Sequence, residues 1–103
     1  MIAATLLEAL REKDPETWDY IDTVLKLGFP MPGVCDPNGV IAGYIIQGSI
    51  QSAIQARGWS WELSTFTDRP YAKIFNQATL RYATCIGDSP AEALLSCYLE
   101  AIG

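Results

Sequence analysis

Four helical segments and three short strands, in the order α-α-α-β-β-β-α, predict an α+β fold with a three-stranded antiparallel meander. Three observations predict it. First, Ser89-Pro90-Ala91-Glu92 is a capping box with proline at the first helical position, and Ala91, Leu94, Leu95, Tyr98, Leu99 and Ile102 follow at helical spacing. Second, Trp59 to Thr67 alternates like a strand with two faces, and two further strand-like segments follow it across short turns. Third, the chain has 103 residues, half of them hydrophobic, which suits one domain with its own core.

The elements follow in order. Ile2 to Glu12 reads as a first helix with Ile2, Leu6, Ala9 and Leu10 on one side. Asp14-Pro15 reads as an N-cap followed by proline at the first helical position, opening a second helix from Pro15 to about Leu27. That helix turns Trp18, Ile21, Val24 and Leu25 to the core and ends at Gly28. Residues 1–28 are thus a helical pair, 29–43 a Pro/Gly-containing loop, and 44–103 an α-β-β-β-α unit, all within a single domain 1–103. Helix three, from about Tyr44 to Arg57, carries the stripe Ile46, Ile50, Ala53 and Ile54 and stops at Gly58. The closing helix from Ser89 to Gly103 sets Glu92, Ser96 and Glu100 opposite its apolar stripe.

The strands are expected at Trp59–Thr67, Tyr71–Phe75 and Thr79–Ile86. Directly opposed antiparallel residues share a face, so loop length fixes which side chains gather together. A two-residue loop at Asp68-Arg69 opposes Thr65 to Ala72 and Leu63 to Ile74. A three-residue loop at 76–78 opposes Ile74 to Leu80 and Ala72 to Tyr82. The expected apolar face is then Trp59, Trp61, Leu63, Ala72, Ile74, Leu80, Tyr82 and Ile86, under helices three and four. The other face holds Ser60, Glu62, Ser64, Phe66, Tyr71, Lys73, Phe75, Thr79, Arg81 and Cys85, with the N-terminal pair covering part of it or packing beside the sheet.

Composition excludes several chemistries. The chain has no histidine, which removes the commonest general base and the usual partner of a nucleophilic Ser or Cys. No catalytic residue, cofactor or metal site is expected. The three cysteines, Cys35, Cys85 and Cys97, are scattered and include no C-x-x-C pair; buried reduced thiols are the expectation. No apolar run approaches the ~20 residues of a membrane span, and the N-terminal stretch carries Glu8, Arg11 and Glu12 rather than a signal-peptide pattern. A cytoplasmic protein with no membrane partner follows. Net charge is −5, and six acids against Arg11 and Lys13 place −4 of it before Thr23. Direct binding to a phosphate backbone wants the opposite sign, so no nucleic-acid partner is expected.

Two clusters are candidate sites. Glu16, Asp19 and Asp22 recur at i, i+3 spacing on helix two, an acidic patch able to imitate phosphates and dock on a basic surface of a host protein, or an ordinary solvated face near a helix start. Lys73 and Arg81, opposed across strands beside Tyr71, form a ligand-binding candidate for a nucleotide-like small molecule, or a solvated pair balanced by Glu62. Glycines at 33, 39 and 43 lead into helix three but lack the Gly-Lys-Ser/Thr ending of a phosphate loop. Cys35 beside Asp36 has no cation nearby in sequence to lower its pKa. Trp59 and Trp61 alternate with Leu63 and are expected in the core rather than on a stacking platform.

The helix-meander-helix order is shared with the double-stranded RNA-binding domain, but Asp88-Ser89-Pro90-Ala91-Glu92 stands where that module carries lysines, so the electrostatics are reversed. The stretch from the helix ending at Gly58, through Trp59-Ser60-Trp61 and the strand pair, to Asp88-Ser89-Pro90-Ala91-Glu92-Ala93-Leu94-Leu95 resembles the phage ABA-sandwich family of small phage and prophage proteins. The resemblance covers about the C-terminal half and leaves out the first 43 residues. It implies a phage or mobile-element accessory protein acting in the bacterial host cytoplasm. Taken with the missing histidine, it leads to a non-enzymatic protein acting by stoichiometric binding to a host factor, and taken with the chain's acidity, to an inhibitor of a bacterial defence system as the most specific version. The alternative is a small-ligand module that sequesters a nucleotide signal. Two open sheet edges on a small apolar chain make a homodimer the expected assembly.

Overall fold

The computed structural model describes residues 4–28 and 40–103. The order is α1 (Ala4–Lys13), α2 (Pro15–Gly28), α3 (Val40–Ala56), β1 (Ser60–Phe66), β2 (Arg69–Asn76), β3 (Arg81–Ile86) and α4 (Pro90–Ile102), with β2 in the middle of an antiparallel sheet. The α+β architecture is the predicted one. Ile2, Cys35 and the glycines at 33 and 39 lie outside the described residues. Helix α3 begins four residues earlier than expected, because Gly43 sits inside the helix, where an added Cβ would meet nothing. A glycine there is tolerated and is no stop signal.

Helix termini follow the sequence closely. The Ser89 hydroxyl accepts from the Glu92 N–H at 3.1 Å, and Pro90 opens α4. Asp14 caps α2, accepting from Thr17 N at 3.3 Å and from Thr17 Oγ1 at 2.6 Å. Gly58, at φ 75°, ends α3 in the left-handed conformation: its N–H reaches Gln55 O, and the Trp59 N–H reaches Ile54 O. Those two bonds are a Schellman closure, which a residue with a Cβ would strain.

Helix α4 is the centre of the molecule. It packs on β2 and β3 with one side and on α3 and α1 with the other. This double contact buries Ala93 and Cys97 as well as the predicted stripe of Ala91, Leu94, Leu95, Tyr98 and Leu99. The N-terminal pair packs on α3 and α4, and so shields no part of the other sheet face. Leu10, Ile21, Ile46, Ile50 and Ile54 complete the core from the helical side.

A polar link ties three helices together at the edge of this core. The Tyr98 hydroxyl donates to Asp14 Oδ2, and Arg57 Nε donates to the same hydroxyl at 3.2 Å. The Arg57 guanidinium also lies over the rings of Trp59 and Tyr98. Burial pushes the Asp14 carboxyl upward, but hydrogen bonds from Thr17 and Tyr98 outweigh it and leave the pKa below its ordinary value.

The register departs from expectation twice, with opposite consequences. Strands β1 and β2 pair as Leu63↔Ala72 and Trp61↔Ile74, so the two-residue turn is Thr67-Asp68, not Asp68-Arg69. Both turn residues have positive φ, 48° and 63°, the type I′ pattern that matches strand twist. Pro70 pairs in the strand opposite Thr65 and is no turn residue; its carbonyl accepts from Gly87 N. This shift moves the pairing by two residues, and every side chain keeps its predicted face.

Strands β2 and β3 pair as Ile74↔Ala83 and Ala72↔Cys85, which turns β3 over. The connection is the four-residue loop 77–80, not the expected three residues. Asn76 sets its length: Oδ1 accepts from Ala78 N and Thr79 N, and the backbone carbonyl accepts from Leu80 N at 2.8 Å. The side-chain amide meanwhile donates to Ala101 O on α4, so Asn76 is held at both ends and buried. Leu80 closes the loop at φ 58°. As a result Ala83 and Cys85 face α4, while Leu80, Tyr82 and Ile86, expected in the core, are 73%, 62% and 42% exposed. Trp61 and Leu63 keep their predicted side of the sheet but are half-buried, packed against the core rather than within it.

Candidate functional site

Helix α4 covers one side of β2 and β3, and among the described residues no helix packs on the other side of the sheet. That open face presents three rows. Ser60, Glu62 and Ser64 come from β1, Tyr71, Lys73 and Phe75 from β2, and Tyr82, Thr84 and Ile86 from β3. The β1 and β3 residues are exposed, and the three on the central strand are half-buried by their neighbours. Phe75 and Tyr82 face each other across the strands with ring centroids 4.8 Å apart. The Lys73 ammonium lies 4.3 Å from the Tyr82 centroid, a cation–π contact on the water-facing surface. Ser60, Trp61, Glu62, Lys73, Phe75 and Tyr82 line a shallow concavity of about 220 Å³.

The predicted cation pair does not form. Arg81 pairs with Asn76, on the side that α4 covers, while Lys73 stands opposite Thr84 on the open side. The inverted β3 accounts for the separation. Tyr71 and Lys73 do share the open face, and Glu62 stands directly across from Lys73. Among the described residues no carboxylate lies within ion-pair distance of Lys73, whose ammonium is turned toward Tyr82 and away from β1.

The acidic patch is real in sequence but fanned out in space. Glu16 and Asp19 are exposed, while Asp22 is ion-paired with Lys26 at 2.8 Å. Glu16 borders a groove between α2 and α3 with Tyr20, Ser49 and Ser52, whereas Asp22 borders the α1–α2 groove with Glu8, Arg11 and Trp18. Successive i+3 steps rotate by −60° around a helix, so three acids at that spacing span about a third of the circumference.

The two described thiols are poor nucleophiles. Burial, with Glu100 as hydrogen-bond acceptor at 3.2 Å, pushes Cys85 up to about 11. Burial and the neighbouring Cys85 push Cys97 up to about 12, and its thiol donates to Ala83 O. Among the described residues no three potential metal ligands gather, and no helix is long and apolar enough to cross a membrane.

Sequence reasoning placed Glu62, Tyr71, Lys73 and Phe75 on this face and missed Tyr82 and Ile86. The signal that finds them is Asn76. An asparagine at the end of a strand favours an Asx turn, and a four-residue loop in place of three inverts the parity of the next strand. No family model, curated protein or solved structure matches the chain.

Proposed function

We propose that this is a non-enzymatic binding protein, a phage or mobile-element accessory protein that acts in the bacterial cytoplasm by stoichiometric occupation of a host protein, for which a defence component is the most specific target. The open sheet face is its docking surface. The observation that carries this reading is the Phe75–Tyr82–Lys73 cluster, aromatic rings and a cation displayed on a rigid sheet rather than buried beneath a helix. Aromatic residues are enriched at protein interfaces, and tyrosine is among the residues that dominate their hot spots. The absence of histidine and the raised thiols support binding over catalysis. The phage assignment rests on the resemblance of the C-terminal half.

The concavity beside Lys73 favours a second reading, a nucleotide-like ligand stacked on Phe75 and Tyr82. Two features weigh against it. Arg81 lies on the other side of the sheet, and Glu62 at the rim repels an anion.

One experiment separates these. The chain is immobilised, exposed to bacterial lysate, and compared with Phe75→Ser/Tyr82→Ser and with Glu16→Lys/Asp19→Lys/Asp22→Lys. Retention of one protein at equal stoichiometry, lost only in the sheet variant, is the expected result. Loss only in the acid-reversed variant moves the site to α2. A thermal shift of the purified chain with mononucleotides, abolished in Lys73→Ala, favours the small ligand instead.

A further inference from the structure

We infer that a second copy of this chain seats on the open sheet face, related by a two-fold axis that lies in the interface and runs along the strands between β1 and β2. The register itself makes the face self-complementary. Ser60, Glu62 and Ser64 stand directly across from Phe75, Lys73 and Tyr71. An axis running between the two strands exchanges each member of a pair for its opposite. Phe75 of one copy therefore rests over Ser60 of the other, Tyr71 over Ser64, and Lys73 over Glu62.

Shape and charge agree on this arrangement. The β2 row is bulky and the β1 row small on either side of Glu62, so the ridge of one copy fits the trough of the other. Two Lys–Glu contacts form across the axis, and the face brings no net charge to a chain that carries −5 overall. Two copies meeting at the acidic N-terminal helices would meet with like charge. A free nucleotide or an anionic surface gains no such match, because Glu62 offsets Lys73 for any purely negative ligand.

The size of the patch sets the strength. Two strands of seven or eight residues at about 3.3 Å per residue, about 4.8 Å apart, offer a few hundred Å² per copy, against about 800 Å² per partner in a standard stable interface. The dimer is therefore weak and dissociates on dilution. This rests on reading the face as a protein-docking surface, and adds that two copies share it until another partner displaces one.

The test is the oligomeric state of the purified chain by sedimentation from about 1 µM to about 1 mM, alongside Glu62→Lys, Lys73→Glu and an equimolar mixture of the two. Both substitutions lie on the open face, and circular dichroism confirms that the variants fold. The wild type is expected to pass from monomer to dimer. Each reversal alone raises the midpoint concentration about tenfold or more, because like charges then face each other across the axis. The mixture restores the wild-type midpoint as a heterodimer, an outcome available only to a contact between chains. A wild type that stays monomeric throughout, reversals that leave the midpoint unmoved, or a mixture that fails to restore it each overturns the dimer. If the wild type is monomeric while Phe75→Ser/Tyr82→Ser still loses its captured protein, the dimer falls and the docking surface stands. If the dimer obeys the charge reversals while capture ignores that variant, the docking reading falls and the dimer stands.

Discussion

The two sides of the sheet invert the usual relation between size and burial. Toward α4 the central and third strands present Ala72, Ile74, Ala83 and Cys85; toward water they present Tyr71, Phe75, Tyr82 and Ile86. Small residues face the helix because α4 approaches closely, with Ala93 and Cys97 meeting the sheet and the Cys97 thiol bonded to the Ala83 carbonyl. The bulk of the core lies on the far side of α4, where Leu10, Ile50, Ile54, Leu94, Leu95 and Tyr98 fill the space between helices. On the third strand a large apolar residue is no sign of burial: Tyr82 and Ile86 stand outside while Ala83 lies beneath the helix. The rings left outside are therefore surface by construction and available for recognition.

Substitutions on the two sides should part company sharply. Ile74→Ala, at a fully buried position, is expected to lower stability by about 2–5 kcal/mol in urea titration. Phe75→Ala, one residue along, should cost less than about 1.5 kcal/mol despite removing more atoms. Comparable losses at the two sites would end the distinction. Tyr98→Phe, which strips a hydroxyl from between Asp14 and Arg57, should cost about 0.5–1.5 kcal/mol, the worth of a hydrogen bond whose partners stay half-buried or exposed.

The same link gives the chain a defined acid response. The Asp14 carboxyl is lowered in the folded state, so its contribution is complete above the unfolded value near 3.8 and disappears as pH falls through the folded value. Asp14→Asn should flatten that limb in thermal melts between about pH 5 and pH 2 while losing some stability at neutral pH. An unchanged acid limb would show that other carboxylates govern it.

Leu80→Gly should raise stability by about 1 kcal/mol, since an exposed leucine at φ 58° bears the left-handed penalty with no burial to offset it. A fall in melting temperature would mean that the side chain is packed rather than displayed. Tyr82→Ser should cost about 0.5–1 kcal/mol through the lost ring pair with Phe75 and contact with Lys73, while abolishing retention of the proposed partner. Stability and binding would then respond to opposite sides of one sheet.

Much of the fold was legible because its signals are local. Capping at Asp14 and Ser89, the Gly58 terminator and the helical stripes each follow from residues a few positions apart. The β1–β2 faces also survived, although a Thr67-Asp68 turn lacks the Asn-Gly signature and Pro70 imitates a turn residue. A register error of two residues leaves parity intact. The third strand was misread because loop length there depends on Asn76, whose amide is anchored on α4, 25 residues away in sequence. A preference for gathering large apolar residues then settled the ambiguity wrongly, and the Lys73–Arg81 site fell with it. Of the α2 acids, Glu16 and Asp19 are exposed while Asp22 is half-buried and paired with Lys26, and spacing alone does not reveal which groove each one borders.

At Gly87 an added Cβ would come within 2.5 Å of the Ala93 backbone nitrogen, so the exit of β3 and the first turns of α4 touch main chain to main chain. That backbone contact leaves no room for a side chain between strand and helix, so only glycine fits the corner. A partner landing on the outer surface meets a sheet whose central strand is already paired on both sides, so ordering that backbone is no part of the cost of binding.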